Sequence, residues 1–173
     1  MKRLLMAVLI LLPAMAFGQS GAAPDPFKAL SFLEQNWEAN TNGYGGVKST
    51  GTYTFRRELG GHILARRSTS DVTCKGPTDF DCGHGDMLYV YQDAPGQPLK
   101  AIYFDNEGHV IHYQVSAQSG QATFLSEPGP GPRFRLSYRG VGADQVVTTF
   151  EVAPPDHPEG FVKYLEGSSK RGN

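Results

Sequence analysis

The chain has 173 residues, with 16 Lys and Arg side chains against 17 Asp and Glu, a formal net charge of −1. Glycine and proline are abundant, at 21 and 12 residues, and this composition argues against an all-α fold because both residue types disfavour helix interiors. The absence of a net positive charge argues against a nucleic-acid partner, since phosphate binding depends on a positive surface.

The first eighteen residues have the three-part pattern of a secretory signal peptide. Residues 1–3 carry positive charge, residues 4–12 form an unbroken apolar run, and residues 14–18 are mostly small. The apolar run is about half of the roughly 20 residues that a membrane-spanning helix needs, so an uncleaved anchor is the less favoured alternative. We expect residues 1–18 to be removed on export to the periplasm or the extracellular space, leaving a mature chain without a membrane span.

A short helix is predicted over residues 26–35, after a flexible lead-in at residues 19–25. Asp25 is a good helix cap, and Pro26 fits the first helical position because its missing N–H is not needed there. The apolar side chains that follow recur every three residues and form one stripe: Phe27, Leu30 and Leu33.

From Trp37 onward the chain alternates short β-type runs with Gly, Pro, Asn and Asp. After the strand that Trp37 opens, the runs predict strands over residues 48–58, 62–72, 86–92, 99–105, 109–116, 121–127, 133–139, 145–153 and 160–168. No helical pattern separates them, so βαβ units are absent. Short turns predict an all-β, up-and-down antiparallel sheet of nine or ten strands that closes into a barrel over residues 26–170. A two-sheet sandwich is the alternative.

The element order resembles the calycin superfamily, which contains lipocalins, fatty-acid-binding proteins and nitrobindin-like barrels. The resemblance rests on the helix ahead of Trp37, on the meander of strands, and on residues 101–105, 108–113 and 164–167, which look like a secreted bacterial branch of that group. Gln35 is a departure, because lipocalins and nitrobindins usually carry Gly at that place. The resemblance implies a cavity for one small molecule inside the barrel, but it does not identify the ligand.

Two cysteines, Cys74 and Cys82, form an even number in a chain that we expect to be exported, which favours one disulfide. The residues between them have the composition of a loop. The alternative is a metal site formed by these cysteines with His84, Asp79 and Asp81, but the spacing matches no standard zinc module. We therefore predict a disulfide and no metal site.

One histidine, His112, is a candidate ligand contact inside the barrel. If Asp105 pairs with His109 across the hairpin, Ile102 pairs with His112, and either face of this hairpin could be the inner one. The alternative is an ordinary core or surface histidine. The resemblance to nitrobindin-like barrels implies an iron-binding histidine near the end of the chain, and the last predicted strand contains none. We predict no cofactor, with haem as the open alternative.

Two pairs of adjacent arginines suggest a polar group inside the barrel. Pairing across the Gly60–Gly61 turn places Arg57 and Arg66 on one face and Arg56 and Arg67 on the other. A buried arginine requires an anionic partner, from the ligand or from the protein. The protein alternatives are Glu58, Asp71 and Glu151.

Fatty-acid-binding barrels capture carboxylates with interior Arg and Tyr, and this resemblance implies a ligand site in the present chain. Its candidate members are Arg66, Arg67, Tyr53, Tyr89 and Tyr103, with Trp37 at one end of the barrel and His112 as a further contact. No nucleophile-elbow, zinc-protease or P-loop motif occurs, so catalysis is not favoured.

Three functions remain open at this point. The favoured one is binding of a small, largely apolar ligand that can carry an acid group. A haem protein that uses a cavity histidine is the second, and a filled barrel that serves as a structural or interaction domain is the third.

Overall fold

The computed structural model describes residues 24–42, 48–70 and 83–172. Ten antiparallel strands form one closed barrel, in which strands adjacent in sequence pair and the last strand pairs with the first. The strands are β1 Asn36–Asn42, β2 Lys48–Glu58, β3 Ile63–Ser70, β4 Gly85–Tyr91, β5 Lys100–Asp105, β6 Val110–Gln118, β7 Gln121–Ser126, β8 Arg133–Gly140, β9 Gln145–Ala153 and β10 Val162–Arg171. The predicted all-β barrel is confirmed, and the sandwich alternative is excluded.

The helix before β1 is shorter than predicted and of a different type. It is a 3₁₀ helix, Lys28–Leu33, rather than a helix over residues 26–35. Its apolar residues recur every three positions, which matches the three residues per turn of a 3₁₀ helix better than the 3.6 of an α-helix. All three side chains of this stripe, Phe27, Leu30 and Leu33, are fully buried.

The hairpin registers agree with those predicted. Ile102 pairs with His112 and Phe104 with Val110 between β5 and β6. Arg57 pairs with Leu64 between β2 and β3. The predicted and observed boundaries differ most for the last strand, β10, which was predicted to end at residue 168 and extends to Arg171. It is longer because its end pairs with β1 and closes the barrel, with Trp37 opposite Arg171. A local alternation pattern carries no information about this long-range pairing.

The half of the barrel next to the helix is filled with side chains. The Trp37 indole N–H donates to the Leu33 carbonyl at 2.9 Å, which fixes the helix across that end. The Tyr138 ring packs edge-on against Phe55 and Phe124, with centroids 5.6 and 5.8 Å apart. Other fully buried members of this core are Leu30, Leu64, Leu88, Val90 and Val146. This end of the barrel is therefore closed.

Several sequence predictions lie outside the described residues. These are the signal peptide at residues 1–18, most of the lead-in at residues 19–25, and both cysteines, Cys74 and Cys82. Within the part of the chain that the structure describes, no helix combines the length and the apolar character needed to cross a membrane.

Candidate ligand-binding cavity

The half of the barrel away from the helix encloses a cavity of about 400 Å³. Its open end, here called the mouth, lies where β3 and β5 end and where β4 and β6 begin, at Ser70, His84, Asp105 and His109. The inner faces of β6, β8 and β9 supply apolar walls, formed by Ile111, Tyr113, Phe134, Leu136, Phe150 and Val152. The inner faces of β1, β2 and β3 contribute mainly Ser and Thr side chains. The volume falls in the lower part of the range of roughly 300–1,000 Å³ that is typical of small-molecule sites.

A polar layer separates the cavity from the filled core. We call it the floor, and it consists of Tyr53, Arg66, Asp86, Thr148 and Ser169, all of which line the cavity. The register places this layer directly against the core, since Arg66 pairs with the fully buried Phe55.

The Arg66 guanidinium donates to the Asp86 carboxylate. The two side chains are only 12% and 6% exposed, so water contributes little to their solvation. Burial is the largest single effect and opposes the charge of Arg66, but Asp86 together with the surrounding tyrosines outweighs it, and the pKa of Arg66 is raised above its ordinary value. The guanidinium also lies 4.9 Å from the Tyr53 ring centroid. The floor thus holds a charged pair without net charge.

The phenols around the floor are neutral hydroxyl groups. Burial raises the pKa of Tyr53, and contacts with Ser169 and Arg66 offset part of the rise. Burial is also the main cause of a raised pKa in three further tyrosines: Tyr103, Tyr113 and Tyr138. These side chains therefore keep their O–H donors throughout the ordinary pH range.

Several polar atoms at and behind the floor are buried and make no hydrogen bond of normal geometry with any described residue. They are Tyr53 Oη, Tyr138 Oη, Thr148 Oγ1 and Arg66 Nε. Buried polar groups in folded proteins nearly always have a partner, so such a cluster requires an explanation.

The mouth carries a network of histidines and carboxylates. His84 Nε2 lies 3.0 Å from Tyr103 Oη and Nδ1 lies 3.2 Å from Glu107 Oε1. His109 Nδ1 lies 2.8 Å from Asp105 Oδ2, and the Glu107 and His109 backbone N–H groups donate to Asp105 Oδ1. Burial is the largest single effect and acts against the Asp105 charge, but the hydrogen bonds from His109 and from the Glu107 backbone, with the attraction of His109, together outweigh it and lower the pKa of Asp105. The network links β4 to the β5–β6 hairpin.

Ligand atoms of His84, Asp105 and Glu107 all lie within 4.8 Å of one another, a spacing that could hold a metal ion. Of these three residues, only His84 belongs to the metal site that the sequence analysis considered as the alternative to a disulfide. In the described structure these groups already bond to one another and to the hairpin backbone, which accounts for their proximity without an ion.

The structure brings three of the predicted site residues together. Tyr53, Arg66 and Tyr103 all line the cavity. Trp37 is buried at the closed end, where its ring stacks on Tyr53 at 6.2 Å. It therefore supports the floor from below and does not line the cavity.

The other three predicted site residues lie on the outer face, and their assignment to the cavity is corrected. His112 is exposed because its neighbours Ile111 and Tyr113 take the inner positions. Arg67 contacts Glu58 at 3.2 Å and lies 5.8 Å from the Tyr89 ring, so both side chains belong to an outer cluster.

The haem hypothesis depended on His112, which cannot reach a group in the cavity. Two other histidines, His84 and His109, line the mouth. Both ring nitrogens of His84 are already hydrogen-bonded, and Nδ1 of His109 is bonded to Asp105. A histidine whose Nδ1 is held by a carboxylate is the usual form of a metal-binding histidine, so the bond between His109 and Asp105 does not argue against haem.

The partner of Arg66 was not identified from the sequence. Glu58 pairs with Arg67 and Glu151 with Arg135, while Asp71 lies outside the described residues. The sequence could have indicated Asp86 as this partner, because Asp86 shares one strand face with the apolar residues Leu88 and Val90 and is therefore placed on the buried side.

No protein-family model matches the chain, and no curated protein matches it. Among solved structures, that of Rv2717c from M. tuberculosis has 13% identity and a TM-score of 0.57, over 86% of this chain and 98% of that one. A de novo designed fluorescence-activating β-barrel has 11% identity and a TM-score of 0.45, over 83% and 97%. At such identities the likeness to Rv2717c concerns the fold alone, and the weaker likeness to the designed barrel adds no argument.

Proposed function

We propose that the protein is a binding barrel for a small, largely apolar molecule that enters through the mouth and lies in the cavity above the floor. One observation carries the proposal: the barrel is densely filled on the helix side, yet it encloses about 400 Å³ on the other side, with apolar walls along β6, β8 and β9. A barrel of this kind can hold one small ligand. Purely structural barrels have no need of such a cavity, because interiors normally pack without voids.

The floor provides the polar end of the site. Its Arg66–Asp86 pair and its hydroxyl groups lie below walls that are apolar along β6, β8 and β9, an arrangement that orients a ligand by its polar end. Since Asp86 already neutralises Arg66, an acid group on the ligand is not required. The acid group that the sequence analysis allowed for the ligand therefore has no special support.

The proposal is tested with 1,6-diphenylhexatriene, a hydrocarbon whose fluorescence rises when it leaves water. We expect the wild-type protein to bind it in a saturable manner. Ile111→Trp places a larger ring in the cavity, whereas Val110→Trp changes the neighbouring residue, which is 55% exposed on the outer face. Binding should weaken by about tenfold or more in Ile111→Trp and should be unchanged in Val110→Trp.

Circular dichroism and thermal unfolding of both variants provide the folding control. Equal binding by Ile111→Trp and Val110→Trp, with both variants folded, would show that the dye binds elsewhere and would refute the proposal.

We further propose that the chain is exported to the periplasm or the extracellular space, with residues 1–18 removed and Cys74 joined to Cys82. The support is the signal pattern and the even number of cysteines. The intact mass of the exported protein should lack residues 1–18 and should be two hydrogens lighter than that of its reduced form. A full-length mass would contradict the cleavage, and a mass unchanged by reduction would contradict the disulfide.

A further inference from the structure

Unpartnered polar groups are concentrated at one place in the cavity. Tyr53 lines it and is 4% exposed, and its hydroxyl is close to the side chains of Ser169 and Thr148 but makes no hydrogen bond of normal geometry with a described residue. Thr148 Oγ1, on the same floor, is also buried and also makes no hydrogen bond of normal geometry with a described residue. Tyr138, 1% exposed, lies directly behind, with its ring 6.4 Å from that of Tyr53. Tyr53 and Thr148 therefore face the ligand space, and Tyr138 lies behind them.

All of these groups can donate a hydrogen bond. Two are phenols, one is an alcohol, and the fourth is the Nε–H of Arg66, which can only donate. Because burial keeps the phenols protonated, every group of the cluster presents a donor. A ligand acceptor is therefore complementary to all of them, whereas a ligand donor could pair only with the hydroxyl oxygens.

The charges near the floor decide which acceptor fits. The described lining residues contain one cation, Arg66, against the carboxylates of Asp86 and Asp105, with two histidines at the mouth. Asp86 already neutralises Arg66. A ligand carboxylate would be buried beside two carboxylates without a cation of its own, which is costly. A neutral acceptor avoids this repulsion.

We infer that the floor of the cavity binds the neutral carbonyl of a ligand such as a ketone, ester or amide, in preference to a carboxylate. The inference rests on the proposed function and defines the class of its ligand. Tyr53 is the residue that touches the carbonyl oxygen, with Thr148 beside it, while the apolar part of the ligand extends along the walls toward the mouth.

The test compares two probes in the full mature protein. Prodan is a neutral aromatic ketone whose emission moves to the red when its carbonyl accepts a hydrogen bond, and 1,6-diphenylhexatriene has no polar atom. In Tyr53→Phe, prodan should bind about three- to tenfold more weakly, the effect of one lost neutral hydrogen bond, and its bound emission should move to the blue. Diphenylhexatriene binding should be unchanged.

Matched variants control for effects on the fold. Tyr89→Phe removes a hydroxyl from an outer-face tyrosine and should leave both probes unaffected. Thr148→Val removes the second floor hydroxyl and should repeat the selective loss of prodan binding. Tyr53→Phe keeps the ring and deletes an unpartnered group, so we expect no loss of thermal stability.

A competition experiment measures the preference between head groups. At pH 7, 2-undecanone should displace prodan at concentrations at least about tenfold lower than undecanoate, because only the latter buries a charge. Equal competition would overturn the inference, as would a Tyr53→Phe variant that binds prodan like the wild type or loses both probes equally. In those cases bound diphenylhexatriene would leave the proposed function standing, whereas failure of the wild type to bind either probe would refute both.

Discussion

Arg66 and Asp86 form a buried ion pair in the floor, on a strand pair in which the other inner residues are mostly apolar. A buried pair is weak evidence for stability, because desolvation of both charges offsets their attraction. Removing only one partner of the pair is strongly destabilising, since a buried charge then remains without a partner. The pair therefore makes the floor neutral and ties β3 to β4, which is consistent with a site that selects its ligand by hydrogen bonding.

Asp86→Asn should both destabilise the protein and change its ligand preference. Leaving Arg66 without its carboxylate should lower the free energy of unfolding by about 3–5 kcal/mol, measured by chemical denaturation. Undecanoate, which can now pair with Arg66, should bind more tightly than to the wild type. Glu58→Gln is the matched control, because it breaks a pair with the half-exposed Arg67 and should have little effect on either quantity. Equal effects of the two variants would contradict the role given to the Asp86 pair.

The sequence predicted which residues share a strand face, but not which face is inside. Alternation correctly separated Arg66 from Arg67, yet both remained candidates because each strand has two equivalent-looking sides. The choice depends on Leu64, Leu88 and their neighbours, which fill the core and turn Arg66 inward with them. His112 was misplaced for the same reason, since the inner positions of its strand belong to Ile111 and Tyr113.

At the scale of elements, one arginine attaches the 3₁₀ helix to the barrel. The Arg57 guanidinium contacts Asp25 at 2.7 Å and Glu34 at 2.6 Å, and it lies 4.8 Å from the Phe27 ring centroid. The contact with Arg57 also lowers the pKa of Asp25. These contacts join both ends of the helix to β2 and help to keep that end of the barrel closed.

Arg57→Met should loosen the helix without opening the sheet. We expect faster hydrogen exchange of the backbone amides in Lys28–Leu33 and a loss of up to about 1 kcal/mol in the free energy of unfolding. Arg56→Met is the control, because Arg56 faces outward and bonds to Asn36. If the helix exchanges at the same rate in both variants, Arg57 is not its anchor.

Most elements could be predicted from local patterns, and their errors have local causes. Strands β2 and β9 begin and end where the alternation predicted. The helix was assigned to residues 26–35 because capping signals mark where a helix starts and do not distinguish its type. It ends early because Gln35 already bonds back to the Leu33 carbonyl and β1 begins at Asn36.

At the scale of the whole molecule, the barrel is half filled and half open. Closure depends on pairing between β1 and β10, more than 120 residues apart, and the cavity depends on side chains contributed by nearly every strand. Neither property is encoded in a local segment, so the sequence alone could not say whether the interior was open. The filled half fixes the strands, and the open half leaves room for a ligand of limited size.

The central claim is that a small apolar molecule binds inside the open half, with its polar end at the floor. Methyl-resolved NMR of the protein titrated with 2-undecanone tests it most directly. We expect shifts at the cavity methyl groups of Ile111, Leu136 and Val152, with none at the outer Val110 and Val162. Shifts confined to Val110 and Val162, or no shifts at saturating ketone, would contradict the claim that the cavity is the binding site.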